Sequence, residues 1–112
     1  MVRKVKIGII QSKISDNTQS NIILAIKSIK KAASKKAKII CVPELFLSTY
    51  FCQTESHSNF KLAEKIPGKI TKIFSDLAKE LGVILILSLF EKKTSGFYHN
   101  TSIVINEVGK IL

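Results

Sequence analysis

Tryptophan is missing from the chain, and arginine occurs once, as Arg3, so nearly all of the 18 basic residues are lysines. Sequence-specific nucleic-acid readers lean on arginine forks and on stacking aromatics set among basic residues. With aromatics at 7%, a net charge of +10 does not make that kind of surface. Lys27, Lys30, Lys31 and Lys35 fall on the outer face of an expected helix, and others fall at turns. They read as solvated faces, with non-specific attraction to anions as a by-product. Two cysteines, Cys41 and Cys52, make no disulfide framework and have no zinc-ligand spacing. They read as reduced thiols, one in a strand core and one in a pocket wall. Long apolar runs are also lacking: the longest, residues 83–90, is strand-sized and broken by Ser88. The charged, apolar start lacks a small-residue cleavage site and reads as the first strand of a cytoplasmic protein.

What is present is a core-forming composition. Hydrophobic residues make up 46% of 112 residues, enough for one domain with a single core. Residues 4–11 read as a strand rich in β-branched side chains, with Gly8 allowing close backbone approach. Asp16 and Gln19 suggest a capping box, and Ile22, Ala25, Ile26, Ile29, Ala32 and Ala33 follow the spacing of one buried helix face. Residues 36–38 close that helix. Residues 39–42 form a wholly apolar strand. A second helix carries Ile70, Ile73, Phe74, Leu77, Ala78 and Leu81 on one stripe, with Gly82 as its C-terminal cap. Residues 83–90 and 98–105 are strands able to pair antiparallel across a turn at 92–96. A turn at 107–110 leads into the opening of another strand at Ile111. The order β-α-β-loop-α-β-β predicts an α/β layered fold with both helices on one side of the sheet. Strands apolar on both faces need a second layer, so the fold reads as incomplete.

The stretch CVPELFLSTYFCQ, residues 41–53, is unusual for a loop because it carries Leu45, Phe46, Tyr50 and Phe51. Loops leaving the carboxyl ends of strands build active sites in α/β sheets. Glu44 sits there, after Pro43 has fixed the exit from the strand. A carboxylate among Phe46, Tyr50 and Phe51 would be partly desolvated and suited to proton transfer. From spacing alone, a Pro-Glu pair after a strand is more often a solvated loop acid or a helix-terminus acid than a catalytic base. Tyr50 and Phe51 can wall a pocket or anchor the loop by packing. His57 reads as solvent-facing, His99 and Asn100 as ties between the hairpin and its neighbours, and Gln11 as a strand end beside the pocket.

The ordered series Gln11, Pro43-Glu44-Leu45-Phe46, Tyr50-Phe51-Cys52-Gln53, Glu55, Ile66-Pro67-Gly68, residues 77–83, Ser88-Leu89-Phe90-Glu91 and Tyr98-His99-Asn100-Thr101 resembles the nitrilase superfamily of carbon–nitrogen hydrolases. The Tyr50–Gln53 run points to the branch that hydrolyses N-carbamoylputrescine. The resemblance covers nearly the whole chain and implies that residues 1–112 are the amino-terminal portion of a nitrilase-type α-β-β-α sandwich. It implies a glutamate base, an oxyanion-stabilising lysine and a cysteine nucleophile acting on a carbamoyl or amide substrate, without metal or organic cofactor. The glutamate would be Glu44. Glu55 would meet the terminal ammonium of a carbamoyl-diamine, or stand as a solvated loop carboxylate.

The family's lysine comes a short way beyond the segment matched by Gly109-Lys110-Ile111-Leu112, and its cysteine later still. Lys110 falls at a variable turn, Cys41 is expected buried and inert in its strand, and Cys52 matches a non-nucleophilic position. The expectation is therefore a hydrolase of the polyamine pathway, releasing putrescine, whose isolated 112-residue chain is inactive. Its open sheet face would be covered by a homo-oligomer or by a complementing C-terminal chain, and neither a specific nucleic acid nor a membrane is expected as partner. A truncated, non-catalytic remnant and a small basic binding module are the alternatives.

Overall fold

The computed structural model describes residues 3–48, 63–94 and 96–112. Its elements are β1 (Ile7–Ile9), α1 (Thr18–Ser34), β2 (Ile39–Cys41), α2 (Lys69–Leu81), β3 (Ile84–Thr94) and β4 (Phe97–Ile105). The strands lie in the order β1-β2-β3-β4, with β1, β2 and β3 parallel and β4 antiparallel to β3. Successive crossovers of one hand that step the same way along a sheet put their helices on the same face, and α1 and α2 touch each other there.

Each helix begins and ends for local reasons. The cap of α1 is Asn17 rather than Asp16: Asn17 has extended backbone, and its Oδ1 accepts the Ser20 N–H at 2.9 Å. Asp16 lies one residue outside and leaves that role to its neighbour. The far end of α2 is closed by Gly82, in the left-handed region at φ 64°, whose N–H donates to the Ala78 carbonyl.

The core lies between the two helices and one sheet face. Ile40, Leu85, Leu87, Leu89, Ile103 and Ile105 point into it from the strands, against Ile22, Ala25 and Ile29 of α1 and Ile70, Phe74, Leu77 and Ala78 of α2. Alternation along β3 is strict over its first eight residues, every second side chain being buried. The other face carries Ile39, Cys41, Ile84 and Ile86, all half-buried, and Ile7 and Ile9, exposed at 59% and 81%. Among the described residues nothing covers that side. This matches the expectation of an α/β layered fold with both helices on one side of the sheet.

Two boundaries differ from the sequence reading. β3 runs on to Thr94 because β4 continues to pair with it, Lys92 opposite Tyr98 and Thr94 opposite Phe97, which shortens the expected turn. β1 is limited to three residues, since its pairing with β2 ends where Ile9 faces Cys41. The chain also turns back after Gly109, and Ile111 bridges antiparallel to Ile105, the start of the further strand expected there.

Gly8 shows how tightly α1 sits on the sheet. A Cβ at this position would stand 3.1 Å from the Ala32 Cβ and 3.3 Å from the Ala37 Cβ. Gly8→Leu should therefore lower stability by about 1–3 kcal/mol through overpacking. A urea titration checks this, with a lower midpoint at unchanged slope expected.

Candidate active site

The site is built where β2 ends. Val42 keeps its N–H on the Ile86 carbonyl at 3.2 Å, so the chain follows the sheet up to Pro43. It then turns sharply, Leu45 taking a left-handed backbone at φ 48°. That turn buries Leu45, sends Phe46 and Leu47 into the helix-covered core and leaves Glu44 exposed over the open face. Phe46 is fully buried, edge-on to the Phe74 ring with centroids 5.3 Å apart. The expected desolvation of Glu44 by Phe46 is thus corrected: the phenyl ring anchors the turn from below and does not face the carboxylate.

Three polar contacts hold the same turn. The Leu45 N–H donates to Ser88 Oγ on β3 at 3.0 Å. Asn21 of α1, only 2% exposed, donates from Nδ2 to the Leu47 carbonyl at 2.9 Å and to the Ser15 carbonyl at 2.7 Å. Its Oδ1 accepts from the Ser15 N–H and hydroxyl, at 2.9 and 3.1 Å, so every hydrogen-bonding position of this buried amide is used. The third contact belongs to Glu44 itself, whose Oε1 accepts from Asn100 Nδ2 on β4 at 2.9 Å.

Glu44 borders a cavity of about 410 Å³ on the open sheet face, which it shares with Cys41, Ile86, Ser88, Asn100 and Ser102. Cys41 is a second correction. It alternates with buried Ile40, so its side chain faces the uncovered side; it is half-buried, and its Sγ lies 3.6 Å from the Val42 carbonyl. Lys110 stands apart, in the turn after β4 beyond the far end of that strand, where Gly109 packs against Ser75 of α2. Gln11 is exposed and not part of the cavity lining. Tyr50, Phe51 and Glu55, with Cys52 and His57, lie outside the described residues. Ser88 is the site residue that sequence reasoning passed over, whereas Asn100, expected to tie the hairpin to its neighbours, makes its hydrogen bond to Glu44. The signal for Ser88 was present, as the hydroxyl interrupting the apolar run of β3.

A further acid stands beyond the end of β2. Glu64 bridges β3, its N–H donating to the Phe90 carbonyl at 2.7 Å and its carbonyl accepting from the Lys92 N–H at 2.8 Å. Desolvation by burial raises the pKa of its carboxyl, and the Lys69 ammonium offsets this in part. Glu91, its sheet neighbour, is buried on the helix-covered side and accepts from Thr101 Oγ1 at 2.9 Å. Among the described residues, no group of three or more His, Cys, Asp or Glu side chains could hold a metal, and no helix is long and apolar enough to cross a membrane.

The carbon–nitrogen hydrolase family matches residues 6–112, and the chain belongs to that family. It is 34% identical over 103 residues to an N-carbamoylputrescine amidase of Solanum lycopersicum, covering 91% of this chain and 34% of the relative. It is 37% identical over 109 residues to the omega-amidase NIT2-B of Xenopus laevis, covering 97% of this chain and 38% of that one. Among solved structures, a carbon–nitrogen hydrolase from Helicobacter pylori superposes with a TM-score of 0.89 at 32% identity, over 96% of this chain and 37% of that one. The C. elegans NitFhit protein shares the fold, with a TM-score of 0.79 at 21% identity. The chain spans little more than a third of the length of the two amidases and of the Helicobacter protein, and 27% of NitFhit.

Two predictions follow from the anchoring of the turn and from Glu64. Asn21→Ala leaves the Leu47 carbonyl and the Ser15 groups without their partner and should lower stability by about 2 kcal/mol or more. Chemical denaturation measures the loss, and a value near zero would contradict the anchoring. For Glu64, a raised folded-state pKa means that the fold holds the proton more tightly than the unfolded chain does. Stability is then full below the ordinary carboxyl range and falls as pH rises through the folded value. Glu64→Gln should melt like the parent at about pH 4 and above it at about pH 7. A constant difference across that range would contradict the shift.

Proposed function

We propose that Glu44 is the general base of a carbon–nitrogen hydrolase site, completed by a lysine and a cysteine from polypeptide outside these 112 residues. The observation that carries this is the carboxylate of Glu44 standing at the carboxyl edge of the parallel strands, beside a cavity and fixed by Asn100. A carboxylate so placed can take the proton from a thiol as the sulfur attacks the substrate carbonyl, pass it to the ammonia that leaves, and then take one from the water that hydrolyses the thioester and return it to the departing sulfur. The lysine ammonium would stabilise the oxyanion of each tetrahedral intermediate.

The substrate class we propose is a ureido compound, N-carbamoylputrescine, whose hydrolysis with water gives putrescine, carbon dioxide and ammonia for polyamine synthesis. The 34% identity to the Solanum amidase supports this choice, and so does the Tyr50–Gln53 run. The 37% identity to the Xenopus omega-amidase supports a second reading, an ω-amide substrate at the same Glu44. Tyr50 and Phe51 would wall the substrate pocket, and Glu55 would bind the free ammonium of a carbamoyl-diamine, a group that an ω-amide of an acid lacks.

The 112-residue chain alone should show no turnover, because Glu44 is the sole member of the triad it supplies. Co-produced with the remaining portion of a carbon–nitrogen hydrolase domain, it should release ammonia from N-carbamoylputrescine. In that assembly Glu44→Gln should lower kcat by about 100-fold or more. Glu55→Gln should raise KM for the diamine substrate and leave an ω-amide unaffected. An assembly that keeps full activity after Glu44→Gln would overturn the proposal.

A further inference from the structure

We propose that Asn100 is a positioning residue for Glu44, fixing one carboxylate oxygen so that the other faces the space over the open sheet. The inference rests on the reading of Glu44 as the base. Asn100 lies on β4 opposite Phe90, two pairs along from Ser88 opposite Ser102, so its side chain shares the face of the sheet that carries the cavity. An ionised carboxylate only accepts hydrogen bonds, so the amide must present Nδ2 to it, as it does at 2.9 Å. Asn100 is the sole hydrogen-bond partner of Glu44 among the described residues. The bond engages Oε1 and leaves Oε2 open to receive a proton.

Nothing else in the fold calls for an asparagine here. Asn is disfavoured within strands, and Asn100 is exposed, so it adds neither core packing nor β-propensity. Its amide reaches 56 residues back along the sequence to an acid on a separate element. A neutral donor also aims the carboxylate without placing a second cation beside the lysine that the mechanism already requires. Breaks of local propensity of this kind collect at functional sites.

The test has one arm that does not depend on activity. In the isotope-labelled 112-residue chain, three-bond couplings across the Glu44 side chain should report a single rotamer. They should average in Asn100→Leu and in Asn100→Asp, the latter matching the shape but losing the donor. Averaged couplings in the parent, or a single rotamer kept in both variants, would overturn the proposal. In the assembled enzyme the same variants should lower kcat by up to about 100-fold with KM little changed, as misaimed catalytic groups do. A KM effect at constant kcat would also overturn it. If Glu44→Gln leaves the assembled enzyme active while the couplings behave as stated, the base reading fails and the positioning contact stands.

Discussion

A single sharp turn, from Glu44 to Leu47, connects the core of this protein to its surface chemistry. Its backbone is gripped from three elements: Ser88 of β3 takes the Leu45 N–H, Asn21 of α1 takes the Leu47 carbonyl, and Phe74 of α2 receives the Phe46 ring. With those contacts made, Glu44 has little choice of position. Its carboxylate stands over the open sheet face, and Asn100 of β4 holds it from the remaining side. Rigid elements thus do the aiming, as precise sites require.

The same turn separates two environments. Below it lies a dry core in which Phe46, Phe74, Leu87 and Leu89 are buried almost completely. Above it lies a sheet face of half-buried isoleucines and Cys41, apolar enough to need a covering layer. This chain spans little more than a third of the length of the two amidases it resembles. Exposed apolar surface of this kind favours association. Covering it would also change the surroundings of Glu44, which here is exposed.

Much of this was legible in the sequence. Gly8 and Gly82 announced a close approach and a helix end, and both are found there. The threefold and fourfold spacing of Ile22, Ala25 and Ile29, and of Ile70, Phe74 and Leu77, marked the two buried helix faces. Glu44 was legible as a position, the first acid after a buried strand. Its surroundings were not. A left-handed Leu45 reverses the direction in which Phe46 points, and no local pattern announces a positive φ at leucine. The Asn100 contact depends on the register of a hairpin whose length was misjudged, since β3 extends to Thr94. Asn17 displaced Asp16 as a cap because two adjacent capping residues compete and only backbone geometry decides between them.

Lys27, Lys30, Lys31 and Lys35 are exposed along α1, and Lys6 Nζ reaches the Lys35 carbonyl at the C-terminal end of that helix, where a cation is favoured. The central claim concerns Glu44, at the carboxyl end of β2. A crystal structure of the assembled hydrolase with a bound amide tests it most directly. The account predicts a Glu44 oxygen within about 3–4 Å of the nucleophilic sulfur, its other oxygen still on Asn100. A Glu44 carboxylate turned into bulk solvent, away from both Asn100 and the sulfur, would contradict it.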